Sequence, residues 1–237
     1  MRPNDQEMER SAIIARYARR PTDSDTYSAL RPWVYMRVQE RQRALIRRFA
    51  RLANPLDRLT VLEIGCGTGN NLLELVALGF APENLAGIDL LASRVDEARR
   101  RLPSSVQLVC GDALTSDVGR SSFDIVYAST VFSSILDDAY QQELASRIWS
   151  LTRDGGEVLW YDFTFDNPKN PDVRGVPLSR VRQLFPGAAI AHERVTLAPP
   201  LSRIVCRIHS SLYHVFNFIP ALRTHLLCEI GKPAAAR

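Results

Sequence analysis

The chain has 237 residues, 46% hydrophobic and 24% charged, with a formal net charge of +4. That size and mixture suit a folded, well-buried soluble domain and exclude a disordered chain. Residues 1–10 alternate acids and bases without an apolar core, which does not read as a secretory signal, and the most apolar window, 212–222, is too short and polar to span a bilayer. Cys66, Cys110, Cys206 and Cys228 lie far apart with no zinc or redox spacing, so reduced, buried thiols in a cytoplasmic protein are expected.

Residues 1–60 hold 13 Arg against 7 Asp and Glu, a local +6 that leaves the remainder near −2. Residues 7–20 read as a short helix, closed by Pro21 and the polar run after it. A longer helix is expected over 33–53, where Val38, Leu45, Phe49 and Leu52 recur at helical spacing. Arg41, Arg43, Arg47, Arg48 and Arg51 fall between those positions. A basic arm could touch nucleic acid or anionic lipid, but arginines alternating with apolar residues read as a solvated helix face. No zinc-finger spacing, RNA-binding strand motif or recognition helix accompanies them, which argues against a dedicated nucleic-acid binder.

From Thr60 strands alternate with helices. Strands are expected over 61–64, 85–90, 106–110, 123–128 and 157–163, with helices over 70–78, 93–102 and 138–151 and a turn at 153–156. Such alternation demands right-handed crossovers and a mostly parallel sheet covered on both faces. Ligands then bind beyond the carboxyl ends of the strands.

The most specific motif is Glu63-Ile64-Gly65-Cys66-Gly67-Thr68-Gly69-Asn70, between the first strand and its helix. Glycines there let the backbone turn tightly and approach a ligand without a Cβ in the way. Asn70 breaks the dinucleotide spacing, leaving G-x-G-x-G. Asp89, with Leu90 beside it, ends the second strand, where a carboxylate can accept hydrogen bonds from both ribose hydroxyls. Asp112 follows the third strand and can accept from an adenine amino group.

These three motifs, in order at successive strand ends, resemble the class I S-adenosylmethionine-dependent methyltransferases over about residues 58–163. The resemblance implies that Gly65, Gly67 and Gly69 wrap the methionine part of the cofactor and that Glu63 supports the loop. It implies further that Asp89 holds the ribose, that Asp112 and Ala113 frame the adenine, and that Ser129 lies beside the sulfonium. The implied fold is a Rossmann-like α/β sheet of seven strands, mostly parallel, in the order 3-2-1-4-5-7-6. Helices cover both faces, a helical cap spans 1–57, and the methyltransferase unit spans 58–237.

In that scheme 188–197 is the sixth strand and 224–231 an antiparallel seventh. The insertion at about 199–223 lies over the carboxyl edge, where it serves either as a lid or as a core-packed amphipathic helix. The loop from Tyr161 to Gly175, taken with 196–200 and 223–227, also looks like a bacterial subgroup associated with surface-glycan assembly. Methyl transfer to a hydroxyl benefits from a positioned base. His225, opening the seventh strand, is the first candidate and Asp162 the second; Tyr17 and Tyr27 are candidates to close over the cofactor. Asp162, Asp166 and Asn167 invite a magnesium reading, but the fourth strand ends in Ala128-Ser129-Thr130 without a matching carboxylate, so no metal is expected. The expected activity is O-methylation of a small-molecule or glycan hydroxyl, releasing S-adenosylhomocysteine. N- or C-methylation of a metabolite, RNA methylation and a non-catalytic cofactor-binding partner are the alternatives.

Overall fold

The computed structural model describes residues 3–19, 28–118, 122–168 and 170–234. Two helices, α1 (Pro3–Ala18) and α2 (Pro32–Phe49), precede an alternating series. It runs β1 (Val61–Ile64), α3 (Asn70–Ala77), β2 (Leu85–Asp89), α4 (Ala92–Arg101), β3 (Gln107–Cys110), β4 (Phe123–Ser129), α5 (Asp138–Leu151) and β5 (Thr152–Phe163). Then come α6 (Leu178–Leu184), β6 (Ala189–Leu197), α7 (Pro199–Ile208), α8 (Leu212–Asn217) and β7 (Arg223–Gly231). The seven strands form one sheet in the order β3-β2-β1-β4-β5-β7-β6. Only β7 runs antiparallel to its neighbours. Strand order and direction are those expected from the sequence.

The central strands β1, β2 and β4 are buried on both faces, as a parallel sheet between helices requires, while the edge strands β3 and β6 are largely exposed. One core gathers Trp160, Val126, Leu226 and Cys228 with α5 and α6, and the other gathers Tyr127, Leu159, Tyr161 and Leu227 with α2, α3 and α4. The turn expected at 153–156 is absorbed into β5 as an irregularity, because pairing with β4 jumps between Phe123 and Ile125.

Three expectations need correction. In α2 the buried positions are Val34, Met36, Glu40, Ala44, Leu45 and Phe49, while Val38 and Leu52 are only half-buried. The α2 arginines are not one solvated face. Arg41 donates to Glu74 Oε2 at 2.8 Å, and Arg48 pairs with Glu157 and, at 2.8 Å, with Glu229. Carboxylates on the sheet and α3 draw these two inward, which a reading of one helix does not reveal; Arg43, Arg47 and Arg51 do remain exposed. Finally, all four cysteines are free, but Cys110 is exposed at the carboxyl end of β3.

Candidate active site

Between β1 and α3 the backbone turns through Gly65, Gly67 and Gly69 with φ of 68°, 54° and 80°. Those angles are accessible to glycine without the Cβ clash that penalises other residues. A Cβ at Gly65 would stand 2.8 Å from Val131 Cγ2, and one at Gly69 2.6 Å from Leu102 Cδ1. At Gly67 a Cβ would meet only Arg94 Nη1, at an ordinary contact distance of 3.7 Å, so that part of the bend is not crowded.

Three carboxyls surround the bend. Asp89 accepts from the Gly67 and Leu91 backbone N–H groups, one on each oxygen, at 2.9 Å each. Each oxygen keeps a lone pair for a ribose hydroxyl. Asp112 Oδ1 accepts from Leu114 N–H and Tyr140 O–H, both at 2.9 Å. Glu63 is buried, takes a hydrogen bond from Asn71 Nδ2 at 2.6 Å on one oxygen, and leaves the other without a partner. Burial lifts its carboxyl to about 8. Leu90 and Ala113 are half-buried beside these groups, and Ser129 is buried at the end of β4.

Tyr17 of α1 reaches this edge. Its hydroxyl lies 3.1 Å from Ser134 Oγ, while its ring packs beneath the Arg94 guanidinium at 4.5 Å. Tyr17 therefore bridges the segment after β2 to that after β4; Tyr27 lies outside the described residues.

The two base candidates stand on opposite faces of the sheet. Asp162 pairs with Leu226 in β7 and His225 pairs with Phe163, one step along the ladder. Successive strand residues point to opposite sides. Asp162 is buried against the turn after β4, accepting from Ser133 N–H at 3.0 Å and Phe163 N–H at 2.9 Å. Burial raises it to about 7. His225 stacks on Tyr161 with centroids 5.0 Å apart, and its Nδ1 lies 3.0 Å from Thr224 Oγ1. Burial, then the nearby Arg37 and Arg41 charges, depress it to about 3, so the imidazole is neutral.

Arg37, Arg41 and Tyr161 complete this wall and were missed from the sequence. The available signal was the spacing of four between the arginines, which puts both on one face of α2. Arg41 sits 5.7 Å from the Tyr161 ring centroid. The Tyr161 hydroxyl is 2.8 Å from Thr196 Oγ1. Thr196, next to the end of β6, and Thr130, just after β4, have φ of 67° and 55°. Such angles strain a β-branched residue and cluster at functional sites. Each is held by its amide: Thr130 N–H donates to Tyr161 O at 2.7 Å and Thr196 N–H to Glu40 Oε1 at 2.8 Å.

A cleft of about 420 Å³, lined in part by Phe165, His192, Arg194 and Arg223, opens beyond β7. Arg194 pairs with Leu226, so the cleft belongs to the Asp162 side of the sheet and lies away from the glycine bend. Among the described residues no cluster of His, Cys, Asp and Glu is arranged to hold a metal ion. Asp162 and Asp166 face separate amides, the latter taking Gly175 N–H at 2.8 Å.

Residues 61–156 match a family profile described as a methyltransferase domain. The structure superposes on the N-methyltransferase NodS from Bradyrhizobium japonicum, solved with S-adenosyl-L-homocysteine, with a TM-score of 0.66 at 15% identity, covering 95% of this chain and 98% of that one. The fold is that of the class I methyltransferases. A trans-aconitate 2-methyltransferase of Methylobacterium radiotolerans is 32% identical over 53% of this chain and 46% of its own length. The O-methyltransferase cnsE of Penicillium expansum is 28% identical over 48% of this chain and 42% of its own. The chain spans less than half the length of these two curated relatives. The matched relatives and the superposed structure are methyltransferases, and the site fits an S-adenosylmethionine cofactor. Its glycine bend is uncrowded at Gly67, Asp89 keeps free lone pairs, and one Glu63 oxygen is unpartnered.

Proposed function

We propose that this chain is an S-adenosylmethionine-dependent methyltransferase that methylates an oxygen acceptor, a hydroxyl of a small molecule or glycan. In this reading 58–237 is the catalytic unit and 1–57 its helical cap. The cofactor supplies an electrophilic methyl on sulfonium. Gly65, Gly67 and Gly69 hold its methionyl part with Glu63 beneath, Asp89 takes the ribose, Asp112 with Leu90 and Ala113 borders the adenine, and Ser129 faces the reacting centre.

The observation that carries the oxygen reading is the buried imidazole of His225, stacked on Tyr161 at 5.0 Å with its Nδ1 3.0 Å from Thr224 Oγ1. As the acceptor oxygen bonds to the methyl carbon, the carbon–sulfur pair stays on sulfur and the hydroxyl proton needs a place to go. Held at about 3, the His225 imidazole is too weak a base to take up the proton; it accepts a hydrogen bond from the hydroxyl while the proton leaves to water, and closeness of the reacting atoms supplies most of the acceleration. Asp162 has both oxygens committed to backbone amides and acts by holding the turn after β4.

A second reading has a specific observation in its favour. Arg37 has no hydrogen-bonding or ion-pair partner among the described residues, yet its charge is felt at both Tyr161 and His225. An acidic acceptor would supply the missing anion, and a carboxylate oxygen needs no base. One experiment separates the readings. The enzyme is given labelled cofactor and a panel of hydroxy and carboxylic acids, and the product is treated with mild alkali. Retained label and a mass increase at oxygen support hydroxyl methylation. Label released as methanol identifies an ester, and label on nitrogen or carbon sinks the oxygen assignment.

A further inference from the structure

The insertion between β6 and β7 is apolar on two sides. Inward, Ser202, Val205 and Cys206 of α7 and Tyr213 of α8 are buried. The packing is latched by Glu40, which accepts from Tyr213 O–H at 2.5 Å, Asn217 Nδ2 at 2.7 Å and Thr196 N–H at 2.8 Å. Outward, on the opposite side of α7, Ile204 and Ile208 are 60% and 75% exposed. Val215, Phe218 and Ile219 follow at 63%, 83% and 49%. Five large apolar side chains are thus bare within sixteen residues. An element already latched on its inner face does not need its outer one for the core.

Charge names what covers that face. No Asp or Glu occurs between Glu193 and Glu229, while Arg194, Arg203, Arg207 and Arg223 do. Arg203 and Arg207 are exposed one turn apart beside the two isoleucines. Arg203 also lies 4.7 Å over the Trp33 ring, which joins the start of α2 to the same surface. A protein partner is usually met by a rim of both signs. Apolar side chains flanked only by cations instead match an interface of acyl chains beneath anionic headgroups.

We propose that the outer face of α7 and α8 docks the protein on an anionic lipid surface. The helices lie in the headgroup plane and do not cross it; among the described residues no helix is long and apolar enough to do so. The insertion joins β6 to β7 at the carboxyl edge, so docking turns that edge toward the lipid. The docking itself stands apart from the methyl-transfer reading.

The test is sedimentation of the full chain with vesicles of phosphatidylcholine alone and of phosphatidylcholine with phosphatidylglycerol. Binding to the anionic vesicles should be roughly tenfold stronger or more, and should weaken with salt. Ile204→Ser with Ile208→Ser, Phe218→Ser alone, and Arg203→Glu with Arg207→Glu should each reduce it severalfold, with helical circular dichroism unchanged. Equal binding to both vesicles, no binding, or full binding by the isoleucine variant overturns the proposal. So does a concentration-dependent dimer that the isoleucine variant dissolves, which would make this face a contact between copies. Cofactor binding, measured alongside, reports on the methyl-transfer reading separately.

Discussion

The two halves of the carboxyl edge are built differently. At the ends of β1, β2 and β3 the polar groups come mostly from the strand-end turns themselves: the glycine bend, Asp89 held by Gly67 and Leu91, and Asp112 held by Leu114, with Tyr140 of α5 as the distant donor. At the ends of β5 and β6 and the start of β7 they come from side chains far apart in sequence. Glu40 bonds to Thr196, Tyr213 and Asn217, and Arg41 reaches Glu74 and Tyr161. The first half is fixed by local backbone geometry and suits a constant ligand. The second can change its lining without disturbing the first, which suits a variable acceptor.

The sharpest way to break this comparison is at Asp89. Asp89→Ala removes the acceptor of two backbone N–H groups and of the expected ribose hydroxyls. Hydrogen bonds to a charged group contribute about 1.5–3 kcal/mol each, so affinity for S-adenosylhomocysteine should fall about 100-fold or more. Titration calorimetry measures it, and an affinity within a few-fold of the parent would remove Asp89 from the site.

Glu40 probes the other half. Glu40→Ala leaves buried Tyr213 and Thr196 donors unsatisfied, and each unsatisfied group costs about 1–3 kcal/mol. Urea unfolding should show a loss of about 2–5 kcal/mol. Cofactor affinity of the folded fraction should stay within a few-fold. If it fell as far as in Asp89→Ala, the halves would be one unit and the comparison would fail.

This contrast accounts for what the sequence discloses. Strand order, the glycine bend and the aspartates at strand ends are legible because period, turn chemistry and spacing all act locally. Arg41 and Arg48 are misread as solvated because their partners, Glu74, Glu157 and Glu229, lie on other elements. His225 and Asp162 look like equals in sequence, but the antiparallel register of β5 and β7 sends them to opposite faces. Helix α6 also escaped, since its seven residues are too short for a periodic signal.

A smaller effect is expected at Arg37. Arg37→Gln removes a cation that has no hydrogen-bonding or ion-pair partner among the described residues and lies over the Trp33 ring, and an exposed or partly exposed charge contact contributes about 1 kcal/mol. KM for an acidic acceptor should rise roughly fivefold with cofactor affinity unchanged. Steady-state kinetics on acidic and neutral acceptors checks this. A rise confined to the cofactor would move Arg37 to the other half.

The subtlest test uses the opposite titrations of the two base candidates. His225 is held at about 3, below its ordinary 6.5, so the unfolded chain takes up a proton that the folded protein refuses. Its contribution to stability is complete above about 6.5 and is lost as pH falls toward 3. Asp162, raised from 3.8 to about 7, has the reverse sign: the folded carboxyl keeps a proton that the unfolded one releases. Its contribution is complete below 3.8 and is lost as pH climbs to about 7. Urea unfolding between pH 4 and 8 should therefore lose its acid-side decline in His225→Gln and its neutral-side decline in Asp162→Asn. Glu63, raised from 4.5 to about 8, slopes the same way as Asp162 and remains in both variants, so the Asp162→Asn curve should flatten only in part. If His225→Gln left the acid limb intact, the imidazole would titrate at its ordinary value in the folded protein, and burial would not be what holds it neutral.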